Sequence, residues 1–255
     1  MKIVAGSAIL LGFLLVHLIK MMRLYLIVMD SGVSFDRFVP AYLRTTFVNL
    51  LIPYKLGEIY RIAVFGRISD GFRTGFFSVL IDRFFDTLAL VLILLPYQLL
   101  ITKQVTLPTL LLTAFLVVVL IAYRVFLPSY SFLNRYIITS RDSKRSMMAL
   151  AGLEKVNRWY EYASGLVTGR YGILFLFSLA AWTAEMAVLA GFAHLCGKSF
   201  SVSDFGVYIE SIVSGSSYDT KQLYTLCSAA VIAALTIIFT IRYLILSKRR
   251  AKGIK

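Results

Sequence analysis

The sequence predicts an all-α protein: a polytopic membrane helical bundle of about five transmembrane helices with one re-entrant helical hairpin. Three observations lead there. The 255 residues are 59% hydrophobic and 16% charged, with a mean hydropathy of +0.79, against roughly 45–50% apolar and about 25% charged in a soluble domain. Five apolar runs reach the roughly 20 residues that cross about 30 Å of hydrocarbon. A sixth apolar run stops short of that length at a proline. The same composition excludes other classes. So much apolar side chain cannot be hidden inside a soluble fold of this size. Two cysteines, Cys196 and Cys227, make no disulfide scaffold, and the hydrophobicity is far too high for a disordered chain.

The first run, residues 3–29, is longer than a signal-peptide core, and no small-residue cleavage site precedes Lys20 and Arg23, so it reads as a retained helix. The sixth, short run follows, residues 38–52. Its 15 residues extend about 22 Å as a helix, and it contains Pro40, Arg44 and Asn49 before ending at Pro53. It reads as a half-membrane helix that enters and turns back, giving a hairpin over about residues 38–66. Full spans are expected over residues 75–101 and 107–127. Between 128 and 170 lies a loop in which Met147, Leu150, Leu153, Val156, Trp159, Tyr160 and Ala163 recur at helical spacing, with Lys155 and Arg158 between them. That is an amphipathic helix, lying in the headgroup plane or packed on the ends of its neighbours. Spans over 171–196 and 221–246 complete a single integral membrane domain over residues 1–255. Gly215, Ser216 and Ser217 read as a turn in the loop between those two spans.

Charge sets the expected orientation. Lys and Arg number 27 against 13 acids, a net +14. In a soluble chain that would point to nucleic acid, but no base-reading module is visible and most of the charge flanks apolar runs. The cytoplasmic excess of Lys and Arg explains it. The loop 128–170 carries Arg135, Arg141, Lys144, Arg145, Lys155, Arg158 and Arg170, and the tail 247–255 carries Lys248, Arg249, Arg250, Lys252 and Lys255 without an acid. Both are expected in the cytoplasm. A re-entrant hairpin then puts Lys20, Arg23, Arg37, Lys55, Arg61, Arg67 and Arg73 on or near the same side, with the N-terminus outside and Lys2 the one misplaced residue.

Ionisable groups inside a span cost about 2.5–3.5 kcal/mol on insertion scales and so imply a partner or a task. Three groups stand out. Pro53 ends the short helix because it lacks an N–H, and Lys55, Gly57, Glu58 and Arg61 follow. Glu58 and Arg61 share one face of the helix that resumes there, and its N-terminal N–H groups would suit a phosphate. Asp82 and Asp86 share a face of the span 75–101 and need a nearby cation, which Arg83, Arg61 or Arg44 could supply. Glu185 lies mid-span with Trp182 one turn before it. The set reads either as a buried ion-pair network joining helices or as a polar cavity for an anionic headgroup, the latter matching interrupted helices that bind substrates in transporters. His17 and His194 read as packing residues. No metal-ligand spacing, nucleophile elbow or phosphate-cradling glycine loop is present, so no metal, cofactor or catalytic chemistry is expected. Cys196 and Cys227 read as small apolar residues.

The run Ala41-Tyr42-Leu43, then Asn49-Leu50-Leu51-Ile52-Pro53-Tyr54-Lys55-Leu56-Gly57-Glu58-Ile59-Tyr60-Arg61, then Asp82-Arg83 with Asp86, resembles the lysylphosphatidylglycerol synthetase transmembrane (flippase-like) integral membrane protein family. That family shows an N-x-x-x-P-x-(R/K)-x-G-E-x-x-R signature followed by a D-R-x-x-D helix. Ser178 and Trp182 to Glu185 look like its later helix. The likeness spans roughly residues 10–195, of which about 50 carry specific motifs. It implies a bacterial or archaeal inner-membrane protein that moves lipids, or lipid-linked sugars, between leaflets. The substrate-binding positions it implies are Asn49, Pro53, Lys55, Gly57, Glu58, Arg61, Asp82, Arg83, Asp86 and Glu185, with Lys55 and Arg61 on the phosphate and Glu58 orienting Arg61. Larger members carry an additional helix ahead of the first one here, and a glycine- and proline-rich second break where this chain reads Ile209 to Gly215. The soluble transferase domain of the lipid-modifying relatives is not expected, and neither is lysyl transfer.

Two functions therefore compete. One is a flippase-like translocase binding an anionic phospholipid or a polyprenyl-phosphate-linked glycan. The other is a non-transporting membrane partner that docks a glycan-synthesis or lipid-modifying enzyme through the basic loop, alone or as a homo-oligomer. A membrane enzyme acting on lipid phosphates is disfavoured, because no residue set supplies nucleophile, base and oxyanion donor together.

Overall fold

Apolar length decides which segments become long helices here, and punctuation by proline, glycine and capping residues decides where they stop. The computed structural model describes residues 2–52, 56–69, 71–140, 144–214 and 219–251. Among the described residues there are helices and no strands: α1 (Lys2–Val28), α2 (Phe35–Leu51), α3 (Gly57–Ile68), α4 (Phe72–Tyr97), α5 (Leu107–Ser140), α6 (Lys144–Val167), α7 (Tyr171–Leu195), α8 (Val202–Ser214) and α9 (Asp219–Ala251). Five of these, α1, α4, α5, α7 and α9, are long and apolar enough to cross a membrane. The protein is thus a polytopic helical bundle of the predicted class.

The two short helices α2 and α3 form the expected hairpin. Ile52 precedes a proline and is extended (φ −90°, ψ 120°), as the clash with a proline ring dictates, so α2 ends at Leu51. Asn49 then faces Glu58, Thr46 faces Arg61, and Phe38 packs on Phe65 with ring centroids 5.6 Å apart. Partners whose numbers fall on one side as they rise on the other define two antiparallel helices. Both open ends of the hairpin lie at one end of the bundle. Arg170, at the start of α7, donates to Leu26 O at 2.7 Å and to Asp30 at 2.5 Å, just after α1. Thr74, at the start of α4, bonds Tyr162 of α6 at 2.6 Å. The chain between α1 and α4 therefore enters and leaves on the same side. With 17 and 12 residues, the two arms measure about 25 and 18 Å, less than a crossing.

Backbone contact holds α3 on α4. A Cβ placed on Gly75 would come within 2.3 Å of Ile62 O and 2.6 Å of Gly66 N, so only glycine allows this approach. Dispersion and close packing, rather than the hydrophobic effect, drive association once helices sit in lipid. The aromatic seam Tyr25–Phe38–Phe65, with Phe38 and Phe65 fully buried, supplies that packing for the hairpin. The tip is different: Leu51, Ile52, Leu56 and Ile59 are exposed, as suits side chains that face lipid tails.

Two segments depart from the sequence reading. Residues 128–140, expected as the start of a loop, continue α5 through Pro128, because Phe132 and Tyr136 stack one turn apart (6.2 Å) and carry the helical face onward. Residues 202–214, expected in a loop, form α8. Its start is a capping box: Ser201 N–H donates to Asp204 Oδ2 at 2.7 Å, and Asp204 N–H to Ser201 Oγ at 3.4 Å. Phe205, Tyr208 and Ile209 then bury against Trp182, Phe13 and Tyr224. Residues 215–217, read as a turn, lie outside the described residues. At the bundle end opposite Arg170, Tyr97 at the close of α4 bonds Ser203 of α8 at 2.6 Å.

Candidate functional site

Spacing along each helix puts like-minded residues on one face. Lys20 and Arg23 are three apart on α1, Glu58 and Arg61 three apart on α3, Asp82 and Asp86 four apart on α4, and Ser178 and Glu185 seven apart on α7. Packing turns these four faces inward, and the charged groups meet between them. From Phe72 to Asp82 is about 15 Å along α4, and from Gly57 to Ile68 about 17 Å along α3. The cluster therefore sits well below the end of the bundle that carries Arg170.

Arg23 is its hub and only 1% of its side chain is exposed. Its Nε and Nη2 donate to Asp82 Oδ1 at 2.8 and 2.6 Å, and its Nη1 to Asp86 Oδ1 at 2.5 Å and Ser178 Oγ at 2.7 Å. Arg83 donates to Asp82 Oδ2 at 2.9 Å and pairs with Asp86 Oδ2 at 3.3 Å. Arg61, 5% exposed, reaches Asp82 Oδ2 at 3.5 Å and Thr46 Oγ1 at 3.3 Å, and lies over the Tyr42 ring at 5.7 Å. The two neighbouring carboxylates expected to repel are thus held by three guanidinium groups. Arg44, offered by the sequence as a counter-ion, is instead exposed and sits over Tyr60 at 5.9 Å.

Glu58 is held more loosely. Its Oε1 accepts from Asn49 Nδ2 at 2.9 Å and lies 3.6 Å from Arg83 Nε, and its Oε2 lies 3.8 Å from Arg61 Nη1. Asn49 reaches it because Gly57 has no side chain; a Cβ there would fall 2.5 Å from Asn49 Oδ1. The first turn of α3 is therefore covered by Asn49 rather than open to the bilayer. Asn49 Oδ1, Glu58 Oε2, Arg61 Nε and Arg83 Nε are buried and make no hydrogen bond. Of the cluster's arginines, Arg83 is the accessible one, with 34% of its side chain exposed.

A second, smaller group adjoins the first. Lys20 Nζ pairs with Glu185 Oε2 and sits 4.9 Å from the Trp182 ring. Tyr208 of α8 donates to Glu185 Oε1 at 2.8 Å. The hairpin α2–α3 and helix α8 thus approach the charged layer from opposite ends of the bundle. His17 Nε2 lies 3.4 Å from Ser228 Oγ, a packing contact. Cys196 and Cys227 are free thiols.

Of the positions read from the sequence, Asn49, Gly57, Glu58, Arg61, Asp82, Arg83 and Asp86 come together, and Glu185 stands beside them in the second group. Pro53 and Lys55 lie outside the described residues. Arg23, Lys20, Ser178 and Tyr208 were missed as site residues. The signal for Arg23 was its place inside an apolar run, with Leu24 to Met29 still to follow. Among the described residues, no three His, Cys, Asp or Glu side chains form a metal site.

Among the described residues the layer is balanced in charge. Lys20, Arg23, Arg61 and Arg83 face Glu58, Asp82, Asp86 and Glu185, and in low dielectric such pairing is what makes the charges tolerable. Neither the curated proteins nor the solved structures compared with the chain give a match. The family model of the lysylphosphatidylglycerol synthase TM region matches residues 2–214, which takes in α1 to α8 with the whole charged layer, and the chain belongs to that family.

Proposed function

We propose that this protein binds the anionic phosphate of a lipid headgroup at the tip of the α2–α3 hairpin and helps it move between leaflets. The reading is carried by one observation: Arg83, 34% exposed, stands deep in the bundle beside a re-entrant tip whose other arginine is fully enclosed. A guanidinium offers a planar fork suited to phosphate oxygens, and an accessible one inside a bilayer is costly without a task. No bond is made or broken in this role. The lipid-related family supports a membrane function of this kind. The basic residues of α6 and the tail support an inner-membrane protein with both on the cytoplasmic side and the N-terminus outside.

Reconstitution with a fluorescent phosphatidylglycerol tests it. Arg61 is enclosed by Asp82 and Thr46, so reversing its charge would break the fold as well as the site. Arg83→Gln is the informative change. It should lower transbilayer movement at least about tenfold, a loss of about 1.4 kcal/mol, compared at equal amounts of folded protein, while Arg83→Lys, which keeps the layer's charge and loses only the planar fork, should hold the wild-type melting temperature. Movement at the wild-type rate in Arg83→Gln vesicles would remove the proposal.

A specific observation also favours the partner reading. Beyond the bilayer-length part of α5, Phe132, Leu133, Tyr136 and Ile138 are exposed, beside the exposed Lys155 and Arg158 of α6. Phe132, Leu133 and Tyr136 share one helical face, and an apolar face flanked by basic charge suits an acidic amphipathic partner.

A further inference from the structure

We infer that the outer flank of the α2–α3 hairpin is a second lipid-phosphate site. There Arg44, stacked on Tyr60, holds the phosphate of a surrounding phospholipid below the surface of the leaflet that the hairpin enters, and Arg37 and Arg67 guide it in. The site uses none of the residues of the enclosed layer, so it holds or fails apart from the reading built on Arg83.

Helical spacing sets out the flank. Arg37 and Arg44 are seven apart on α2, and Tyr60 and Arg67 seven apart on α3, so each pair shares one face. The three arginines are exposed and Tyr60 is half-buried. The antiparallel register that sets Asn49 on Glu58 and Thr46 on Arg61 also sets Arg44 level with Tyr60, its guanidinium 5.9 Å from the ring. Arg37 and Arg67 lie about 10 Å nearer the open end, one on each arm. This face is not the one that builds the charged layer. Tyr60 is two residues from Glu58, and Arg44 two from Thr46, which turns each of them about 200° round its helix from that partner.

Depth makes Arg44 unusual. It lies nine residues past Phe35, about 14 Å along α2 from the start of the helix. A long cationic side chain on a lipid-facing surface ordinarily stretches back to the interface. Arg44 instead lies against a ring at its own level, which holds the charge where it is. Stacking occupies the face of a guanidinium and leaves the N–H groups round its edge for phosphate oxygens. A charge that stays in the hydrocarbon draws headgroups and water down to it and thins the leaflet locally. The exposed Leu51 and Leu56 lie beyond Arg44 toward the tip, so the polar track ends at Arg44. A leaflet thinned on this flank shortens the hydrocarbon that a headgroup crosses beside the hairpin.

Spin labels in vesicles test this. With Cys196 and Cys227 replaced by alanine, a nitroxide on Ala63→Cys sits on the track, exposed and three residues past Tyr60. A nitroxide on Leu176→Cys is the lipid-facing reference, exposed and, like Ala63, five residues from the same end of the bundle. In phosphatidylglycerol vesicles an aqueous nickel chelate should relax the Ala63 label several-fold more strongly than the Leu176 label. Arg44→Gln should remove most of that difference, and so should Tyr60→Leu, which lets the guanidinium reach back to the surface. Equal relaxation of the two labels in the otherwise wild-type chain would overturn the site, as would a difference that survives both variants. In vesicles of a phosphate-free diglucosyl lipid the Ala63 label should fall to the reference level. A label that stays wet there would mean that water alone serves Arg44, and recovery on adding inorganic phosphate would assign the site to a free anion; either overturns the lipid phosphate. Arg83→Gln should leave the Ala63 label as it is. Loss of the signal in that variant would place its source in the enclosed layer and overturn a separate site, whereas failure of the Arg83 reading in the movement assay leaves the label result standing.

Discussion

Arg23 ties three helices at one guanidinium, reaching Asp82 and Asp86 on α4 and Ser178 on α7 from its place on α1. In lipid, helix association has no hydrophobic drive of its own, so a buried polar node of this kind carries an unusual share of the bundle's cohesion. Breaking a buried pair from one side leaves the other charge bare, at about 3–5 kcal/mol. Arg23→Met should therefore lower the melting temperature in detergent by many degrees, and Asp86→Leu by less, because Arg83 also serves Asp86. The double variant should lose less than the sum of the two, by about 0.5–3 kcal/mol; strict additivity would mean that the pair does not interact. The sequence made this node only half legible. The acidic half was plain, since two aspartates four apart inside an apolar run have no other explanation. The basic half was hidden because Arg23 and Lys20 also fit an orientation signal, and nothing in a one-dimensional pattern says that α1 packs antiparallel to α7 and brings Lys20 onto Glu185.

Among the elements, the hairpin was readable and α8 was not. A 15-residue apolar run closed by Pro53 has too little length to cross and a built-in stop, so chain geometry alone dictates a return. The stretch 201–209 carries its own start signal, Ser201 with Asp204 three residues on, and apolar residues at helical spacing in Phe205, Tyr208 and Ile209. Its 13 residues fall below any span threshold, which is why a search organised by membrane length passed over it. The hairpin yields a direct topological test. With Cys196 and Cys227 replaced by alanine, single cysteines at Ser34 and Ser69 should both react with a membrane-impermeant maleimide from the same side, and one at Thr102 from the other. Reaction of Ser34→Cys and Ser69→Cys from opposite sides would mean that the segment between α1 and α4 crosses the bilayer.

Across the whole molecule, the charged layer and the exposed end of α5 make separable demands. The layer is enclosed by α1, α3, α4 and α7 and is served from the two ends by the hairpin and by α8. The α5 extension, by contrast, shows Phe132, Leu133, Tyr136 and Ile138 outward and belongs to none of the helices that build that layer, so lipid movement and partner docking should be separable. Leu133→Ser combined with Ile138→Ser should leave phosphatidylglycerol movement in purified vesicles within about twofold of wild type, since surface changes away from packed features shift stability by about 0.5 kcal/mol or less. The same variant should abolish co-purification of any membrane-bound partner from cells. Arg83→Gln should do the reverse, keeping the partner and losing movement. A variant pair that failed together would mean that the extension acts on the layer through the bundle, and α5, packed along α4 and α6, would then be the element to examine for two arrangements.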